Sequence, residues 1–418
     1  MSKGGAGAGG VTGRGGSTGG AGDASKGGAS AGGVTGRGGS TGGAGGGGRD
    51  GGRGSGGATS STTAASTDGG PADGAGSAGN PNGSCSTGVP ARGQPVDTST
   101  PTAKIGSGTA ASCTFAQLQT AISKGGVITF DCGPDPFTIV VAATLKPPIT
   151  KDTVIDGGNK ITLDGGGAVQ ILRWDGTDWM KNTYGLTLQH LTLVNAKTTP
   201  TQAIPTAPAP CSQGWDDGEG GAVYVRDGNL TVIDCTFTNN QAAPLGPDTG
   251  GGAIYINGSK TGLLVANSTF RSNSASNAGA VGGLFATLQI YNSLFRDNKA
   301  TGHDANSDDA SKCSVINNDQ NEVGSGGNGG AIYQDGGSST NVLLCGVDVE
   351  SNAAGTNAFG GGVFMTSNDM TGTITVQDST ITGNTGGSWT NVNSGPSLGS
   401  AFGVNAKSST VTNSTLQK

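Results

Sequence analysis

Gly220–Asn240 reads GGAVYVRDGNLTVIDCTFTNN, and Gly251–Asn273 reads GGAIYINGSKTGLLVANSTFRSN. Laid over one another, they keep glycine, aliphatic, aromatic and asparagine positions in the same order. The first half-motif is a glycine, a small residue, an aliphatic residue and an aromatic one. It occurs as Gly221-Ala222-Val223-Tyr224 and Gly252-Ala253-Ile254-Tyr255, and again at Gly282–Phe285, Gly330–Tyr333, Gly361–Phe364 and Gly399–Phe402. The second half-motif ends in asparagine: Phe237-Thr-Asn-Asn240, Phe270-Arg-Ser-Asn273 and Phe295-Arg-Asp-Asn298, with weaker copies ending at Asn352 and Asn384. A short strand-forming motif that returns at a near-fixed period is the mark of a solenoid, in which each coil buries its apolar face only against its neighbours.

This gives the repeated residues physical tasks. Asn240, Asn273, Asn298, Asn352 and Asn384 are expected to stack in one turn and hydrogen-bond along the axis as a ladder. Phe237, Phe270 and Phe295 are expected to stack inside. On this reading Asn273→Ala costs about 1–3 kcal/mol. Strand alternation sets Tyr224, Tyr255, Phe285, Tyr333, Phe364 and Phe402 opposite the aliphatic residues beside them. If the aliphatics face inward, these rings form an outer ladder able to stack on sugars. If the rings face inward, they are core. The same alternation lines up Thr238, Arg271, Arg296, Glu350 and Thr382 on the outside.

Working outward, Ser112-Cys113-Thr114 precedes apolar residues at helical spacing, Phe115, Leu118, Ala121 and Ile122. Ser112 or Thr114 can cap this helix, and Gly125-Gly126 stops it. The strand Val127–Phe130 follows directly, so 112–132 reads as a cap on an open strand layer. Short β-rich runs then alternate with turns such as Asp156-Gly157-Gly158-Asn159, and no further helical stretch appears. A polar insertion at about 302–327 lengthens one repeat.

The whole chain has 418 residues, with 83 glycines and 12% charged residues. The first 104 contain no Leu, Phe, Tyr or Trp, and Ser25–Gly45 nearly duplicates Ser2–Gly22. Residues 1–104 therefore read as a disordered, low-complexity tether; a binding tail using Arg14, Arg37, Arg49 and Arg53 is the alternative. No signal peptide is visible after Met1, and no apolar run approaches the ~20 residues of a membrane helix. Residues 101–418 carry 16 basic and 24 acidic side chains, which argues against a nucleic-acid partner. None of the seven cysteines forms a CxxC pair. Cys113 and Cys132 flank the helix–strand unit and form the first disulfide candidate. Cys85 falls in the tether, and the other four can equally be buried thiols.

The pairing of Phe-x-x-Asn with Gly-Gly-Ala-[Ile/Val] resembles the repeat of bacterial polymorphic outer-membrane proteins. The cap with Cys113 and Val-Ile-Thr-Phe-Asp-Cys132 resembles the start of right-handed parallel β-helix proteins of the pectin-lyase-like class. The resemblance covers 105–418 and implies an all-β, right-handed parallel β-helix, secreted or at the cell surface. In the outer-membrane family such repeats belong to adhesin passengers that precede a barrel, and no barrel strands follow here. The resemblance therefore implies a non-catalytic, adhesin-like protein that binds a polysaccharide or cell-surface glycan. Lyases and glycoside hydrolases of the pectin-lyase-like class are the alternative, and a structural surface spacer is the third.

Hydrolases need paired carboxylates at the scissile bond. Asp216, Asp217 and Glu219, beside the first repeat, are the candidates for catalysis, with a solvated loop as the plainer account. Arg271, Arg296, Tyr224, Tyr255 and Tyr333 are the ligand-binding candidates. Asp304, Asp308 and Asp309 in the insertion are the candidates for calcium, but their spacing fits no known calcium loop, and no cofactor is otherwise implied. His190 reads as sheet surface. Oligomeric state is left open.

Overall fold

A computed structural model describes residues 79–201, 218–246, 248–303, 305, 326–337, 340–367, 369–386 and 402–416. The sequence-predicted tether up to 78, Asp216, Asp217, Asp304, Asp308 and Asp309 lie outside the described residues, as do Cys211 and Cys313.

The strands stack in parallel into two main sheets, one of 17 strands and one of seven. Each coil contributes one strand to the smaller sheet and, in the repeat region, two consecutive strands to the larger one. In one coil these are Ile254–Asn257, then Leu263–Ala266 and Thr269–Arg271. This is a parallel β-helix. Inward-facing residues from both sheets merge into a single core that runs from Ile105 to Ala406.

The helix Phe115–Lys124 covers the N-terminal end. Thr114 caps it through a reciprocal pair with Gln117, and Leu118, Ala121 and Ile122 enter the core. The Cys113–Cys132 disulfide ties the helix to the strand Gly126–Phe130. The expected turn at Asp156–Asn159 is instead a bulge inside one long strand, Thr153–Asp164, with Asn159 in the left-handed region. Similarly, Leu186–Leu188 and Leu191–Val194 belong to one strand, Gly185–Val194.

The asparagines form a ladder on five coils. Nδ2 of Asn240, Asn273, Asn298 and Asn352 each donates to Oδ1 of the asparagine on the next coil at 2.9 Å. The same Oδ1 also accepts the backbone N–H of the coil before it. A buried turn thus satisfies polar groups that have no access to water. Beside the ladder, Phe237, Phe270 and Phe295 stack at 4.9 and 4.6 Å between ring centroids, nearly parallel and fully buried.

A second ladder escaped the sequence reading. The Oγ of Ser268, Ser293, Ser379 and Ser414 each accepts the backbone N–H one coil back. Cys235 takes the serine's place in its coil, with Sγ donating to the Ile233 carbonyl as Ser268 donates to that of Ala266. Its thiol is buried and pushed up to about 12, chiefly by desolvation, so it is a packing group and not a nucleophile.

Two expectations are corrected by the register. Tyr255 pairs with Gly282, and Gly282 with Tyr333, so Phe285 lies three residues beyond the aromatic position of its coil. The true third copy is Gly279–Gly282, and a Cβ at Gly282 would collide with the Tyr255 ring. Likewise Phe364 pairs with Gly403, which puts Phe402 level with Val363.

The tether boundary at 104 is also corrected. Residues 79–101 are not free but form a strap along the outer face of the larger sheet. Cys85 is bonded to Cys345, 260 residues away. Arg92 donates to the Leu230, Thr261 and Gly262 carbonyls and to Thr231 Oγ1. Val96 exchanges two hydrogen bonds with the Gln189 amide, and Thr98 donates to Asp156. The strap lacks large apolar residues because its partners supply them: Leu264, Ala266, Tyr291 and Leu343 face outward beneath it and need a cover.

Candidate functional site

The outer face of the larger sheet has two halves. The half under the strap is closed. The other half is the outer row Thr238, Arg271, Arg296, Glu350 and Thr382, which pair in unbroken register on five successive coils. The stacked phenylalanines lie one residue back, inside, so alternation forces this row outward. All five residues are partly exposed. Arg296 forms an ion pair with Glu350. Arg271, one strand away from Arg296, makes no ion pair with any described carboxylate, and its buried Nε has no hydrogen-bond partner. Asp348, two residues before Glu350, also faces outward, and burial raises its pKa while Arg296 lowers it. The row therefore presents two adjacent guanidinium groups, of which Arg296 is paired with Glu350.

The outer face of the smaller sheet is arranged differently. Tyr224, Tyr255, Tyr333 and Phe364 point away from the core, since Val223, Val225, Ile254 and Ile256 beside them are core residues. Yet these four rings are buried. Arg173 stacks over Tyr224 at 4.3 Å, the Tyr255 hydroxyl donates to the Asp248 carbonyl at 2.6 Å, and Tyr333 donates to Asp335. Tyr333 and Phe364 stack with each other and pack on Phe359 and Ala278. Both alternatives from the sequence are thus replaced by a third: outward-facing rings roofed by the segments that precede each strand. As sugar-stacking residues, Tyr224, Tyr255 and Tyr333 are ruled out in this conformation.

Of the acidic run, Glu219 is buried and not part of a solvated loop. Burial first, then the charges of Glu219, Asp248 and Asp335, push the Tyr255 hydroxyl far above the ordinary phenol range. Three carboxylates therefore act on one tyrosine through their charge. Among the described residues, no group of three His, Cys, Asp or Glu side chains is arranged to hold a metal.

His190 is also more than sheet surface. Its Nδ1 lies 2.9 Å from Asp156 and its Nε2 3.7 Å from Asp234. It occupies a left-handed bend that recurs at Asp234, Asn267, Asn292, Asp378 and Asn413. Burial raises Asp156, but hydrogen bonds from Thr98, Gly158, His190 and Gln189 outweigh it and hold the carboxyl below its usual range. Burial dominates at Asp234 and raises it. This cluster anchors one end of the strap.

The fold and these faces define a parallel β-helix protein. Residues 220–416 match the family model for the right handed beta helix region, which agrees with the parallel coils seen here and gives the solenoid its right hand. The comparisons with curated proteins and with solved structures gave no match.

Proposed function

We propose that the protein is an extracytoplasmic, non-catalytic β-helix that binds an acidic glycan along the Arg271–Arg296 row. The observation that carries this reading is Arg271: a partly exposed guanidinium, next to a second one, with no ion pair to a carboxylate among the described residues. Guanidinium pairs recognise carboxylate and sulfate by charge-assisted, forked hydrogen bonds. Stacked coils repeat the outer row at strand spacing, a few ångströms per coil, which suits a linear polymer lying along the axis. Two disulfides support an oxidising compartment, outside the cytoplasm.

The test is a glycan array with the full chain, set beside Arg271→Ala and Arg296→Ala. Retention of sulfated or uronic-acid glycans that both variants lose supports the reading. Retention that both variants keep, or no retention by the native chain, refutes it.

A second reading, a polysaccharide hydrolase or lyase, is favoured by Glu219, Asp248 and Asp335, whose charges all act on Tyr255. Release of reducing ends or unsaturated products from acidic polysaccharides, with or without calcium, would establish it and displace the first.

A further inference from the structure

The loop between the strands Leu172–Asp175 and Gly185–Val194 holds an indole in water. Trp179 is 42% exposed, whereas Trp174, five residues earlier, is fully buried. The loop around Trp179 is held with unusual care. Asp227, itself buried, accepts hydrogen bonds from the backbone N–H groups of Asp178, Lys181 and Asn182. Met180 sits at φ 54° and donates its N–H to the Gly258 carbonyl. Arg226 donates to the Gly176 carbonyl. Burying a carboxylate is costly, and here it is offset by fixing one loop conformation.

The ring itself has a fitted seat. It lies over Gly258, where any Cβ would collide with it. Phe285 meets it edge to face, with centroids 5.7 Å apart, and the Arg226 guanidinium lies 5.8 Å from its centroid. This accounts for the displaced Phe285: it serves as the wall of the indole and not as a member of the aromatic column. The rest of the ring faces solvent, in a loop whose Thr177, Asp178 and Lys181 side chains are exposed as well.

The geometry points to a binding site for a neutral saccharide, with Trp179 as its stacking platform. A sugar ring has an apolar C–H face and a hydroxyl edge. A rigid, half-open aromatic ring bordered by hydrogen-bonding groups complements both, at little cost in side-chain ordering. A protein partner is a poorer fit, because Trp179 and the equally exposed Tyr184 are the only large rings in this loop that reach solvent, and stable interfaces bury about 1,000 Å² or more. The charges around the ring are mixed, with Asp175 paired to Arg173 and Asp178 set against Lys181 and Arg226, so no field of one sign selects an acidic sugar. This site is separate from the arginine row and stands or falls without it.

The experiment titrates the full chain with the neutral hexasaccharides of β-1,4-glucose, β-1,4-N-acetylglucosamine and α-1,6-mannose, followed by calorimetry and indole fluorescence. At least one is expected to bind. Trp179→Ala should then weaken it at least tenfold, Trp179→Phe should retain part of the affinity, and Asp227→Asn should weaken it by freeing the loop. Arg271→Ala should leave it unchanged, which separates this site from the row. Trp179→Ala gives up the ring's contacts with Gly258 and Phe285 but no core residue, so it should stay folded with a melting temperature only slightly below the native one. Absence of binding to all three sugars, or equal binding by Trp179→Ala, overturns the proposal.

Discussion

One sheet of this molecule carries two outer faces that were treated in opposite ways. Over the strands Leu263–Ala266, Leu288–Tyr291 and Asn341–Cys345, the outward residues are mostly apolar, and residues 79–101 are laid across them and locked by Cys85–Cys345. Over Thr269–Arg271, Leu294–Arg296 and Asp348–Glu350, the outward Thr269 and Leu294 are buried, with Gly79 of the strap bonded to Thr269, while the charged Arg271, Arg296 and Glu350 stay partly exposed. Both faces share the same backing, the asparagine ladder and the stacked phenylalanines. The difference teaches where interaction is expected. The chain closes the face that would aggregate and leaves open the face that can select a charged ligand.

The largest expected effect tests the lock on the closed face. Cys85→Ser opens a loop of 260 residues and should destabilise the protein by on the order of 5 kcal/mol, read by urea unfolding without reductant. Dye binding to apolar surface should rise with it. A variant with native stability and no dye binding would show that the strap holds without the bond.

Phe270→Ala removes the centre of the shared backing and should cost about 3–5 kcal/mol. Because Asn273 makes two side-chain donations and accepts two bonds from Asn240, Asn273→Ala should reach the upper end of the sequence estimate, about 3 kcal/mol. An unchanged melting temperature in either would contradict the ladder and stack as described.

A smaller effect comes from the strap's anchor at Asp156. Its pKa is lowered in the folded state, so its ionised form stabilises the fold above the unfolded value near 3.9. That contribution disappears as pH falls through the lower, folded value. Asp156→Asn should therefore melt below the native protein at pH 7, and the two curves should converge in acid. Asp234 is raised and works the other way, with its ionisation costing stability that acid restores.

On the open face, Arg271→Ala should change stability by no more than about 0.5 kcal/mol, since it breaks no ion pair with a described residue. Equal melting temperatures with unequal glycan affinity are the signature of a surface reserved for a ligand.

The contrast also explains what could be read from residues alone. The ladder was legible because Asn240, Asn273 and Asn298 recur at one motif position and have a single buried task. The arginine row followed from that register. The strap was illegible: its stabilising groups are backbone amides, one arginine and one cysteine, and the apolar surface it covers belongs to strands hundreds of residues away. Composition detects segments that bring their own apolar residues, not those that complete another's. The tyrosine column was half legible. Tyr224, Tyr255 and Tyr333 were matched correctly, but Gly282 in place of a ring made Phe285 look like the missing copy. The Trp179 platform left its clearest trace in Asp227 and Gly258, two residues that lie between the half-motifs of their coils. The serine ladder, by contrast, was within reach, because Ser268, Ser293, Ser379 and Ser414 follow Asn or Asp at a constant place in the repeat.

The most direct test of the open face is the affinity of the full native chain for a sulfated polysaccharide, measured against Arg271→Ala in the same buffer at two salt concentrations. The account predicts binding that weakens with salt and falls at least tenfold in the variant, at equal melting temperature. Equal affinity of the two proteins would contradict it.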